Sequence, residues 1–239
     1  MKKRLISLVC AFIFLGNATG FSQARFQADY WSSYIWRGFD LNPDRRFVFQ
    51  PSLDYEFGDS GISANLWMSF SFEDKELNET DLTVTYDFSS SEELSLEAGF
   101  IHYGWYFTRS FRFNHDTTHE IFFSAGLPSV FLEPSLDVYY DFHNGKGLYF
   151  QLNAGHSLTL SPAVGLDLSA SLGYNGGQWL PEDAPAGFSD MNLGMDIVFE
   201  FARWALVGSG RFTAVLMDAL GIKEFLYFGI SFIYTPGEN

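Results

Sequence analysis

Acidic side chains recur in this sequence at alternate positions of stretches that are otherwise apolar. Asp54 and Glu56 alternate with Leu53, Tyr55 and Phe57; Asp81 and Asp87 with Leu82, Val84, Tyr86 and Phe88; Asp190 and Asp196 with Met191, Leu193, Met195 and Ile197. Asp29, Glu97, Asp137, Asp141 and Asp167 fall on the same kind of row. Carboxylates lining a confined aqueous passage attract cations by Coulomb's law, so the chemistry of this pattern is cation-preferring passage of small solutes. Few basic residues share those rows: Arg25, Arg37, Arg203 and Arg211. Two outcomes are open at this level. The acids line an open pore, or they pair with Arg37, Arg203 and Arg211 and fill a narrow barrel. Arg37 is ambiguous in the same way: it either holds an anionic group of a solute at the outer mouth or pairs with inward acids beside Gly38. Trp31 and Trp67 fall on the inward parity with Tyr139 and Tyr149, where aromatic rings stack on solutes or narrow the passage.

Catalytic alternatives are weak. A nucleophile needs a base within hydrogen-bond reach, and the best pair, His156-Ser157, is adjacent on a strand, where neighbours point to opposite faces. His115-Asp116-x-x-His119 lies in a charged loop without helical spacing and is read as solvated polar residues. No enzyme activity, cofactor or metal site is expected.

The elements that position these rows are strands. The final stretch sets Leu226, Phe228, Ile230, Phe232 and Tyr234 against Tyr227, Gly229, Ser231 and Ile233. A period of two with charges opposite the apolar row is the pattern of a membrane barrel with lipid outside and water inside. Twelve such strands are predicted: about 25–38, 47–57, 62–72, 79–88, 93–106, 119–127, 131–142, 148–158, 163–174, 188–199, 204–216 and 224–234. Pro51 suggests a local irregularity in the second. The turns after even-numbered strands are short and the other connections generally longer, which assigns the former to the periplasm and the latter to the exterior. Two aromatic belts follow on the lipid face. Tyr34, Trp36, Phe47, Phe70, Phe72, Phe142 and Tyr174 form the outer one. Tyr55, Phe57, Phe88, Phe199, Trp204, Phe232 and Tyr234 form the inner one. The fold class is therefore all-β: a transmembrane antiparallel up-and-down barrel of twelve strands, one domain over 25–239.

Residues 1–24 read as a secretory signal. Lys2, Lys3 and Arg4 precede an apolar run from Leu5 to Leu15, with cleavage after Gly20 or Ala24. The lone Cys10 falls within that run, so the mature chain is expected to lack disulfides and thiolate sites. Removing three positive charges takes the formal net charge from -15 to -18, which argues against nucleic-acid binding. Aromatic residues make up 19% of the chain, an excess that interfacial belts explain. The expected setting is the outer membrane of a Gram-negative cell. The expected partners are its lipid, small solutes and the barrel assembly machinery, the last through strand 225–234. A monomer is expected.

Ser32-Ser-Tyr34-Ile-Trp-Arg37-Gly38, followed by Phe49-Gln-Pro-Ser-Leu-Asp-Tyr55, resembles the opening of the TorF-type family of outer-membrane porins. His119-Glu120 and Pro134-Ser-Leu-Asp-Val-Tyr-Tyr140-Asp141 are similar to that family's middle section. The resemblance implies a porin-like barrel without an established substrate. MipA/OmpV-type barrels and Tsx-like nucleoside channels are more distant comparisons. Function is thus expected to be passive diffusion of small cationic or neutral solutes, with cations preferred by the charge argument, or else a plugged barrel serving structure, adhesion or membrane biogenesis.

Overall fold

A computed structural model describes residues 24–41, 47–72, 75–89, 91–105 and 117–236. Residues 1–23 of the expected signal segment 1–24, Cys10 among them, and the His115-Asp116 pair lie outside the described residues. Among the described residues there are fourteen strands. Twelve of them, β1 (Ala24–Trp31) and β4 (Val48–Glu56) through β14 (Glu224–Tyr234), close into one antiparallel barrel. Between β1 and β4, β2 (Ile35–Trp36) and β3 (Phe39–Asp40) form a separate two-stranded ribbon.

The remaining barrel strands are β5 (Ile62–Ser71), β6 (Glu76–Asp87), β7 (Ser95–Trp105), β8 (Thr117–Gly126), β9 (Ser135–Asp141), β10 (Gly147–Ser161), β11 (Val164–Gly176), β12 (Gly187–Phe201) and β13 (Trp204–Val215). Every strand from β4 on pairs with its sequence neighbour, and β1 pairs with β14 through Phe26↔Tyr234 to Trp31↔Gly229. The period of two dictates which face each side chain takes. Leu82, Val84 and Tyr86 on β6, Leu193, Met195, Ile197 and Phe199 on β12, and Leu226, Phe228, Ile230 and Phe232 on β14 are all exposed on the outside. So wide an apolar surface suits a hydrocarbon surround and not water.

One end of the barrel carries the compact turns 57–61, 127–134, 162–163 and 202–203; the other carries segment 32–41 and the connections 142–146, 177–186 and 216–223. These are called the turn end and the loop end below.

Four local expectations need correction. The first strand stops at Trp31, not Gly38: the Ser32 N–H makes a last bond to the Phe228 carbonyl at 2.9 Å, and beyond it the chain turns inward as the β2–β3 ribbon. Tyr34 and Trp36 therefore leave the lipid-facing belt, because they belong to a segment inside the barrel. Strand β6 begins at Glu76, so the charged loop expected over 73–78 is shorter. Strand β9 begins at Ser135, because 127–134 forms turns of its own, with the Val130 N–H on the Leu127 carbonyl, the Glu133 N–H on the Val130 carbonyl, and positive φ at Leu132 and Glu133. The irregularity expected at Pro51 is present: the β4–β5 register is kept, but pairing lapses between Phe49↔Phe70 and Ser52↔Trp67, around a residue without an N–H.

Candidate functional site

The ribbon inside the loop end organises the site. Trp36 pairs with Phe39 across a two-residue turn made by Arg37 and Gly38, with φ of 49° and 81°. Two consecutive positive φ values fit the twist of a tight hairpin. Gly38 adopts this freely, whereas Arg37 does so at a cost of about 1–2 kcal/mol. Gly38 is also confined: a Cβ there would lie 3.3 Å from both Asp190 Cβ and Leu220 Cδ1.

The Arg37 side chain holds the turn in place. Its guanidinium donates to both carboxylate oxygens of Glu120, at 2.7 and 3.0 Å, and to Gln178 Oε1 at 2.5 Å. The pair is buried, with side chains 6% and 0% exposed. Rings of Tyr139, Tyr149 and Trp36 surround the cation at 4.1, 4.6 and 4.6 Å. Glu120 also accepts from Tyr103 Oη at 2.9 Å and Gln178 Nε2 at 2.6 Å, so its oxygens are well supplied with donors. Burial works against the charged guanidinium, but the Glu120 carboxylate together with the Tyr103 and Tyr139 hydroxyls outweighs it and raises the Arg37 pKa.

Apolar packing clamps the same ribbon. Phe39 and Leu41 join Val215, Met217, Leu220 and Phe225 in a buried cluster, with Trp179 and Leu180 from loop 177–186 packed against it. Tyr34 donates to Glu79 Oε2 at 3.0 Å on the opposite wall and packs on Trp67 at 5.6 Å. Segment 32–41 thus spans the lumen and is fixed on several sides.

Beneath the ribbon lies a cavity of about 550 Å³. Trp36, Arg37, Tyr139 and Tyr149 border it, as do the amides of Asn153 and Asn192 and the guanidinium of Arg211. Arg211 makes a bidentate pair with Asp196, both contacts 2.8 Å, and lies over the Trp31 ring at 5.4 Å.

Most of the sequence-predicted residues reach the interior. Asp29 is buried and accepts from Gln27 at 2.9 Å; Asp54 accepts from Asn65 at 2.6 Å. Asp137 accepts from Ser124 and from Asn153, the latter at 2.8 Å. Asp190 is fully buried among the hydroxyls of Tyr149 and Ser189 and the amide of Asn192. Asp167 stands directly across from Asp196. Trp67 stands across from Asp81, which is buried with Oδ1 lacking a hydrogen-bond partner. Glu97 faces Asp87 at the turn end.

Three predicted residues take other positions. Asp87 is exposed at the end of β6, where it accepts the Ser89 N–H at 2.8 Å and caps a turn. Asp141 is buried at the loop end, accepting from Thr118 at 2.7 Å and from the His143 N–H at 2.9 Å, so it braces loop 142–146. Arg203 is not on an inward row: it lies exposed in the two-residue 202–203 connection between β12 and β13, after Ala202 at φ 56°, where strand alternation does not reach. His156 and Ser157 occupy opposite faces of β10, and His156 packs against Phe131 at 5.2 Å.

Sequence reading missed Glu120, Gln178, Glu79 and Tyr103, which complete the anchor of the ribbon. The signal was present in Trp36-Arg-Gly-Phe39, a glycine-containing turn between two aromatics, preceded by a serine pair. Extending the first strand through it hid the hairpin.

No protein-family model and no curated protein sequence matches this chain. Solved structures do. A KdgM porin superposes with a TM-score of 0.59 at 10% identity, over 88% of this chain and 98% of that one. A NanC porin gives 0.55 at 7% identity over 88% and 98%. An outer membrane channel of the COG4313 group from Pseudomonas putida F1 gives 0.53 at 12% identity over 89% and 95%. At these identities the likeness shows the fold: the chain has the barrel architecture of outer-membrane porins and channels.

Proposed function

We propose that this chain is an outer-membrane porin-like channel for passive diffusion of small solutes, cation-preferring and narrowed by its own ribbon 32–41. The observation that supports it is the polar interior beneath an apolar exterior: a cavity of about 550 Å³ bordered by amides, hydroxyls and charges, inside a wall whose outer face is apolar. The neighbours named as porins and channels support the same reading through their shared fold. With the turn end assigned to the periplasm and the loop end to the exterior, the ribbon narrows the outer mouth.

Cation preference rests on the imbalance of inward charge. Arg37 and Arg211 neutralise Glu120 and Asp196. Asp29, Asp54, Asp137 and Asp190 are instead held by neutral donors, which stabilise a carboxylate without cancelling its charge. Their field favours cations in the passage. The opening motif's resemblance to TorF-type porins agrees with a channel and adds no solute. The reading includes no enzymatic step, lipid and small solutes as partners, and recognition of β14 by the assembly machinery.

A second reading has its own support. The buried Arg37–Glu120 pair and the apolar clamp on Phe39 and Leu41 suit a barrel that is permanently plugged and structural. Planar-bilayer recording of the refolded protein separates the two. Discrete steps support a channel; silence from barrels that shift mobility on boiling supports the plug.

A further inference from the structure

Three histidines meet on the outer face of the loop end, away from the lumen. His102 on β7 and His119 on β8 are directly opposed across the ladder, and their Nδ1 atoms are 3.2 Å apart. The neighbouring residues Tyr103 and Glu120 point inward to the Arg37 anchor, so these two imidazoles point outward by strand alternation. Phe100 and Phe142 stack on His119 at 5.7 and 6.0 Å, and His143 at 5.2 Å. Both rings of the pair are partly exposed, within three residues of the strand ends. An aqueous ion therefore reaches them without crossing hydrocarbon.

We propose that His102 and His119 form a two-imidazole chelate for a late first-row divalent cation, Cu2+ above Zn2+. Directly opposed residues on an antiparallel pair hold their side chains close, and here the two rings bring the same nitrogen, Nδ1, to within 3.2 Å of each other. Metal–imidazole bonds of ~2.0–2.1 Å separate two nitrogens by about 2.9 Å at a square-planar right angle and about 3.3 Å at a tetrahedral angle. The observed 3.2 Å falls between those values. A hydrogen bond between two neutral imidazoles puts a proton on one Nδ1, which donates to the other; on metal binding that ring gives up its Nδ1 proton to solvent and takes one at Nε2, so both Nδ1 lone pairs go to the metal with no net proton released. Among the described residues no group of three His, Cys, Asp or Glu converges on one point, so water completes the coordination. The bound ion would staple β7 to β8 at the rim. The site does not depend on whether the lumen conducts.

The test uses the tag-free, refolded full barrel in detergent, titrated with Cu2+ alone and followed by calorimetry and electron paramagnetic resonance. Wild type is expected to saturate at one equivalent with hyperfine coupling from two imidazole nitrogens. His102→Gln and His119→Gln should each weaken binding at least about tenfold while retaining the boiling-dependent gel shift, and His156→Gln should bind as wild type. No saturable binding by the folded wild type overturns the proposal, leaving the pair as a hydrogen bond. So does binding that His102→Gln leaves unchanged.

Discussion

Replacing Arg37 by Met tests whether the ribbon is held chiefly by its ion pair. The substitution leaves Glu120 buried and without its cation, retaining only the neutral donors Tyr103 and Gln178. Breaking one side of a buried pair costs about 3–5 kcal/mol. The two remaining hydrogen bonds favour the low end, and loss of the ring contacts at 4.1 to 4.6 Å pulls the other way. A cost of about 3 kcal/mol raises the undocked population roughly 100-fold, at 1.4 kcal/mol per factor of ten. Amide hydrogen exchange reads this directly, because local opening exposes the ribbon while the barrel stays closed. The Leu41 N–H, bonded to the Tyr34 carbonyl at 2.9 Å, is the reporter; amides of β11 and β12 are the control. Arg37→Met should speed Leu41 exchange about 100-fold and leave the controls unchanged. Arg37→Met with Glu120→Leu removes both charges and should restore most of the protection. If Arg37→Met alone exchanges at the wild-type rate in a well-folded barrel, the ion pair does not hold the ribbon and the reasoning fails.

Other expectations follow from packing and charge. A Cβ on Gly229 would lie 2.5 Å from Trp31 Cε3, so Gly229→Val should destabilise the β1–β14 closure by about 1–3 kcal/mol, read as a lower midpoint in urea by tryptophan fluorescence. Leu193 is exposed near the middle of β12; Leu193→Arg should cost about 2–4 kcal/mol in folding into vesicles. Asp196→Asn frees Arg211, whose side chain is 24% exposed. It should change stability by less than about 1 kcal/mol while shifting the zero-current potential toward anions.

The barrel was legible because lipid outside and water inside impose alternation on every spanning strand. Leu82 to Phe88, Met191 to Phe199 and Leu226 to Tyr234 carry that alternation without interruption, and their registers follow it. The ribbon was not legible by the same means, since Tyr34 and Trp36 continue the parity of Phe26 and Tyr30 although the chain has left the wall. Parity has no way to register a turn at Ser32-Ser33 whose partners, Glu79, Glu120 and Gln178, lie far along the sequence. Arg203 misled for a related reason: alternation counts residues and is silent on where a strand ends. The histidine pair needed the register itself, which sets His102 across from His119 and replaces the loop grouping with His115 as the natural reading of His119.

Single-channel recording of the refolded wild type under a potassium chloride gradient bears most directly on the claim of a narrowed, acidic passage. The account predicts small discrete steps with a cation-selective zero-current potential, enlarged by Arg37→Met. Anion-selective steps, or no steps from both wild type and Arg37→Met in barrels verified as folded, would contradict it.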